Sequence, residues 1–450
     1  MSTAQKFATA KPRVAPAYAR LAKPTSAADI ARICLDLKHF PSPVRALGAG
    51  TAQTRCSDAT GGTQLDMSAL NRVLKLDTQT VTVQPGITLA ELADVLGNKG
   101  LELIGGFDLA NRTVGGAVSA VGLEAAAAGT LDTFISSVVQ LKFVSSEGKK
   151  YCVNRRNMNL LTLLRFSYGL LGIIYEVTLR VRPIQAFKVR AAAWEIEDLE
   201  VLTEQFRALD AGVKLKIFPF RNRVHCEYRE SSDTSETGAR LAWRIKAWTV
   251  NAALPGAAYA LAKMMPLPKL RYPCIDSIEA ATETIVSKGP FSPGSTSTEQ
   301  KSQTGFLRDR LFTFSSWVFD ERRFAQVVTD YRNFCREHYS RTGYRCDMPT
   351  VGYRLPKDRS SLFSPSFETA MISLTPMSTK HDAWDDFAFE FSEFAMRNAG
   401  FPIFSQTRHL PPDYLLRALP QRLTFFKKAR RQFDPQNRFL NHFFAGYMLD

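Results

Sequence analysis

Two glycine-bearing segments have the residue pattern best suited to chemistry. In "PVRALGAGTAQTRCSD", residues 43–58, a short apolar run meets Gly48-Ala49-Gly50 where a strand should end. In "TVGGAVS", residues 113–119, Gly115 and Gly116 stand between Thr113 and Ser119. A diphosphate is held well by main-chain N–H groups that no side chain obstructs. Leu47, Gly48, Ala49, Gly50, Thr51 and Ala52 could wrap such a group, and the second segment could approach it from another side. A plain turn would use the same glycines. A nicotinamide site would need G-x-G-x-x-G opening a helix and an acid about 20 residues on. Here "TAQTRCSD" follows the first glycines and is a poor helix start, so that is the weaker reading. Metal chemistry is not expected: the six histidines show no H-x-x-H spacing and the seven cysteines no C-x-x-C pair. The odd, scattered cysteines point to a reducing compartment.

The elements that must position these turns follow from periodicity. Residues 24–40 read as a helix capped by Thr25 or Ser26, with Ile30, Ile33, Cys34 and Leu37 at helical spacing. "RVLKLDTQTVTVQPG" alternates as a hairpin turning at "DTQT", and "TLAELADVLGNKG" is a short helix capped by Thr88. "SVVQLKFVSSEGKKYCV" is a second hairpin; "LLTLLRFSYGLLGIIYEVTLRVRPI" is a helix, a glycine turn and a long strand closed by Pro183. Beyond residue 184, two strand–helix–strand blocks predict an antiparallel sheet in a second domain, as 450 residues allow. His338 and His381 are placed on polar helix faces, and 288–305 is a flexible loop by composition. The formal charge of +15 is spread along the chain without a nucleic-acid motif, which favours anionic ligands or loose membrane contact.

Six segments stand in one order: "RALGAGT", "LDMSALNRV", "VTVQPGITLAELADVLGNKGLELIG", "TVGGAVS", "GLLGIIYEVTLRVRP" and the late "FDPQNRFL". Together they resemble the flavin-binding half of the vanillyl-alcohol oxidase / p-cresol methylhydroxylase superfamily. The resemblance implies an α+β protein: a two-subdomain FAD-binding domain and an antiparallel-sheet α+β cap over the substrate. The expected layout is a flexible leader over 1–23, the FAD-binding domain over 24–183, the cap over 184–400, and a return to the first domain over 401–450. On this resemblance the turn Leu47–Ala52 cradles the FAD pyrophosphate, and Thr113, Gly115, Gly116 and Ser119 face it. Gly129, Thr130 and Phe134 would follow the ribityl chain and adenine, and Gly169, Gly172 and Ile174 would lie beside the adenosine. Asn441 in the tail completes the expected set. Many members tether the flavin through a histidine where this chain has Thr51, or through a cysteine before T-V-G-G, which is also missing. The FAD is therefore expected to be non-covalent, with His409 as the one remaining tether.

The segment "VGYRLPKDRSSLFSPSFETAMISL" resembles the sugar-lactone and alditol oxidase branch, near decaprenylphosphoryl-ribose oxidase. That branch has a Glu-x-Arg strand; Arg354 matches the arginine, and Gly352 stands at the glutamate. Oxidising an alcohol carbon moves a hydride to flavin N5, and a fixed cation stabilises the charge that develops. Arg354 is the first candidate, with a salt bridge as its alternative use, and Arg408 is the second. Tyr353, Asp358 and His409 are candidate bases. Ala117 suggests an open gate for oxygen. The implied activity is FAD-dependent oxidation of a CH–OH group in a sugar-like, polyol or lipid-linked alcohol. Oxidation of an amine, phenol or specialised-metabolite C–H, or a non-catalytic flavin or lipid-surface scaffold, are the alternatives. O2, a quinone or a partner protein remains open as electron acceptor. The expected location is cytoplasmic, with peripheral contact at the inner membrane left open. The stretch 240–273, with Trp243, Trp248, Met264 and Met265 among basic residues, is either core helix or an amphipathic lipid surface.

Overall fold

The alternating runs before residue 183 assemble into a six-stranded antiparallel sheet. Its path is Val73–Leu76, Thr80–Val83, Ile173–Pro183, Val138–Val144 and Lys150–Asn154, with Leu101–Leu103 also paired to the long strand. The turn at Asp77 closes because its carboxylate accepts from the N–H groups of Gln79 and Thr80. The helix Leu89–Gly97 starts at a reciprocal capping box between Thr88 and Glu91. A computed structural model describes residues 18–105, 111–123, 132–208, 212–231, 237–249, 253–265, 267–286 and 312–449.

A small parallel sheet orders Arg20–Ala22, Thr63–Asp66 and Val44–Leu47, and it ends in the first glycine turn. Residues 20–22, expected in a flexible leader, are thus a paired strand; 1–17 lie outside the described residues. Helix Ala27–Leu35, capped by Ser26, buries Ile30, Ile33 and Cys34 against this sheet's Val44 and Leu65.

The later chain forms a seven-stranded sheet. From edge to edge it runs Phe187–Glu195, Arg223–Ser231, Gly212–Phe218, Thr350–Leu355, Met371–Leu374, Trp317–Asp320 and Phe401–Pro402. One face packs Leu215, Ile217, Trp317, Phe319 and Ile372 against the helices Phe324–Thr342 and Trp384–Arg397. Val351, Tyr353 and Leu355 project to the opposite side, as strand alternation requires, and join the core cluster of the first domain. Neither histidine sits as expected. His338 is 2% exposed, with Nδ1 2.8 Å from Glu390, and His381 precedes its helix and accepts from the Ala383 N–H. The loop 288–305 lies outside the described residues.

Candidate cofactor site

The two glycine segments meet in space. Together they line a cleft of about 990 Å³, open mouth included. Of the expected residues, Leu47 to Ala52, Thr113, Gly115, Gly116, Ser119, Gly169, Gly172 and Ile174 all line it.

Most of these glycines are required by the walls themselves. A Cβ on Gly48 would come within 2.1 Å of Thr113 Oγ1, so the two segments touch there. Gly50 differs: its surroundings are open, but its φ of +66° favours glycine. The N–H groups of Ala49 and Thr51 donate to nothing among the described residues. Thr113 accepts from Gly116 N–H at 3.2 Å and fixes the opposite wall.

Two arginines, a tyrosine and a distant pair, all absent from the sequence-based set, also belong to the lining: Arg45, Arg112, Tyr168, Ser405 and Gln406. Arg45 is 3% exposed and donates to the carbonyls of Phe439, Cys56 and Tyr168. Its Nε has no partner among the described residues. Burial pulls the guanidinium down to about 10, which leaves it charged at neutral pH. Arg112 donates to the carbonyls of Gly116 and Ala120. Burial pushes the Tyr168 hydroxyl up, so it stays protonated. An arginine between Val44 and Ala46 in an apolar strand was the one local sign of this inner charge.

The tail supports the cradle from outside. Asn441 does not line the cleft; its side-chain amide donates to the carbonyls of Arg55, Cys56 and Asp58. Phe134 also stands apart, buried in the core, and Gly129 and Thr130 lie outside the described residues. Ala117 is buried in the helix Val114–Ser119 and is not part of the lining.

None of the catalytic candidates reaches the cleft. Arg354 forms a two-pronged ion pair with Glu321, its Nε 2.6 Å from Oε1, and both side chains are largely buried. Gly352 has no room for the glutamate of the Glu-x-Arg pattern, because a Cβ there would lie 2.8 Å from Ser373 O. The carboxylate that meets Arg354 is that of Glu321, just past the end of Trp317–Asp320, two strands away in the sheet. Arg408 pairs with Asp385 at 2.6 Å, and Tyr353 is buried with Lys214 Nζ 5.2 Å from its ring centre. Asp358 accepts from Thr133 and from Ser360 N–H. His409 packs edge-on against Phe389, and burial lowers its basicity. No group of three or more metal-ligating side chains exists among the described residues.

The architecture and the cleft define a flavin-binding α+β protein of the superfamily that the glycine segments resemble. Residues 18–151 match the FAD binding domain family, and FAD is the cofactor. Residues 177–447 match the D-arabinono-1,4-lactone oxidase family, and the chain belongs to it. It is 29% identical over 170 residues to bovine (Bos taurus) L-gulonolactone oxidase, covering 36% of this chain and 37% of that protein. It is 31% identical over 140 residues to the mitochondrial L-galactono-1,4-lactone dehydrogenase 2 of rice (Oryza sativa subsp. japonica), covering 30% and 24%. The matched stretches thus span little more than a third, or less, of these relatives' lengths. In fold the chain is similar to a cholesterol oxidase from B. sterolicum, with TM-score 0.73, 15% identity, and 95% and 94% of the two chains covered.

Proposed function

We propose that the protein is an FAD-dependent oxidoreductase that oxidises a CH–OH group of an aldono-1,4-lactone or a closely similar sugar-like alcohol. One observation carries this reading: the cleft joins the FAD-domain segment to Ser405 and Gln406, which belong to the region matched by the lactone oxidase family. The relatives' names, L-gulonolactone oxidase and L-galactono-1,4-lactone dehydrogenase, set the substrate class.

The residues present suit the cofactor. Ala49 and Thr51 offer N–H donors, Arg45 and Arg112 set a positive background for a diphosphate, and the Gly48–Thr113 contact keeps side chains out of the space between the walls. When bound, FAD supplies a two-electron acceptor for the hydride leaving the alcohol carbon. The chain's own part is to hold, orient and exclude water, with Tyr168 and, from the later region, Gln406 among the lining residues. Thr51 offers no nucleophilic nitrogen and His409 does not line the cleft, which supports a dissociable cofactor.

The test is direct. The purified protein should be yellow, acid should release the colour into the supernatant, and L-gulono-, L-galactono- or D-arabinono-1,4-lactone should bleach it under anaerobic conditions. Colourless protein that refuses FAD, or holoprotein that no lactone or sugar alcohol reduces, would overturn the reading.

A further inference from the structure

The helix Thr237–Trp248 has two contrasting faces. Trp243 and Ala247 turn inward onto Phe187 and Val189 of the edge strand. Lys246, 2% exposed, sets its Nζ 3.2 Å from the Glu227 carboxylate. On the outside, Leu241, Ile245 and Trp248 follow the i, i+4, i+7 spacing of a single helical stripe and are 59%, 51% and 65% exposed. Arg244 is exposed beside them. Further along, Met264, Leu267 and Leu270 are 77%, 62% and 59% exposed, next to the exposed Lys263. Six of the nineteen large apolar side chains exposed among the described residues therefore fall between 241 and 270. An ordinary soluble surface scatters such residues singly.

Charge selects the occupant. From Thr237 to Ile275 the chain contains no aspartate or glutamate, while Arg244 and Lys263 stand exposed beside the apolar side chains. A second copy would bring cation against cation. No helix among the described residues is long and apolar enough to cross a membrane. We propose that the outer face of Thr237–Trp248 lies in the plane of an anionic phospholipid surface. Leu241, Ile245 and Trp248 enter the boundary between headgroups and acyl chains, and Arg244 meets lipid phosphates. The inner clamp of Lys246 on Glu227 holds the helix so that this stripe stays outward. The inference stands apart from the oxidation chemistry.

Full-length holoprotein is floated with phosphatidylcholine vesicles, with and without phosphatidylglycerol. Flotation should require phosphatidylglycerol. The triple change Leu241→Ser, Ile245→Ser, Trp248→Ser should lower partitioning at least about tenfold, and Arg244→Glu at least about fivefold. Retained FAD stoichiometry reports intact folding. Should the triple variant not fold, Trp248→Phe keeps the test alive: vesicles should blue-shift the wild-type tryptophan emission, and the variant should lose that component. Three results would overturn the proposal: no flotation of the wild type, equal flotation of the folded triple variant, or a dimer in light scattering that the triple variant dissolves. The last would make the stripe an interface between copies.

Discussion

At Gly48 a single added methyl would strike Thr113 Oγ1, and Thr113 in turn caps the helix that forms the far wall. Gly48→Ala should therefore yield protein with much less bound FAD, measured as flavin per polypeptide, and Thr113→Ala in the same chain should restore part of it. Gly50→Ala acts differently, through its left-handed backbone, and should cost about 1–2 kcal/mol in chemical denaturation. Arg354→Ala would leave the Glu321 carboxylate buried without its cation, a loss of about 3–5 kcal/mol. Changing both partners to apolar residues should recover most of that stability. A large fall in flavin reduction without loss of stability would instead return Arg354 to the chemistry. Glu279 makes a pH prediction. Burial, with repulsion from Asp276, pushes its carboxyl up to about 8 against the pull of Arg345 and Arg221. Between its ordinary 4.5 and about 8 the folded state keeps a proton that the unfolded state has released, so stability falls as pH rises. Denaturation midpoints across that range should flatten in Glu279→Gln; an unchanged slope would reject this assignment.

The legible elements were those whose signals are local. The hairpin at Asp77, the capping box at Thr88 and the strand ending at Pro183 are each fixed by residues within a turn of one another, and they form where the pattern puts them. Gly48 to Ala52 was legible for the same reason. Arg45, Tyr168 and Gln406 were not, because their place at the cleft depends on contacts with segments far away in sequence, such as Arg45 with Phe439. The pattern over 350–366 misled in the opposite way: motif spacing identified Arg354, but spacing cannot show that Glu321 occupies its guanidinium. The helix Thr237–Trp248 depends on its clamp. Burial alone would raise the Glu227 carboxyl, but Lys216, Lys246 and Lys214 hold it well below the usual range. Glu227→Gln strands these lysines, and the expected result is faster proteolysis within 237–286 together with about 3–5 kcal/mol lost. Cleavage rates equal to wild type would show that apolar packing alone holds the helix.

Across the whole molecule, the cofactor and the fold should stabilise one another. On the proposed site FAD would be held between walls from both halves of the chain and bind only the folded state, so saturation at about 1,000 times Kd should add about 4 kcal/mol. Removing the flavin should lower the melting temperature, and adding it back should restore it; coincident melts would place FAD outside the folded core. The "FDPQNRFL" segment gives this coupling a direction in time. Asp434 accepts from Arg438 and Phe439 N–H groups, Arg438 donates to the carbonyls of Ile33 and Cys34, and Val44 N–H bonds back to Arg438 O. Asn441 and Arg45 complete the same knot around the first turn. A nascent chain on the ribosome thus holds every glycine of the cradle early, yet lacks the strap that shapes it until residues 434–441 emerge. Loading of the flavin should therefore wait for this strap, and release of a chain stopped before residue 434 should give a colourless product however much riboflavin the cell supplies.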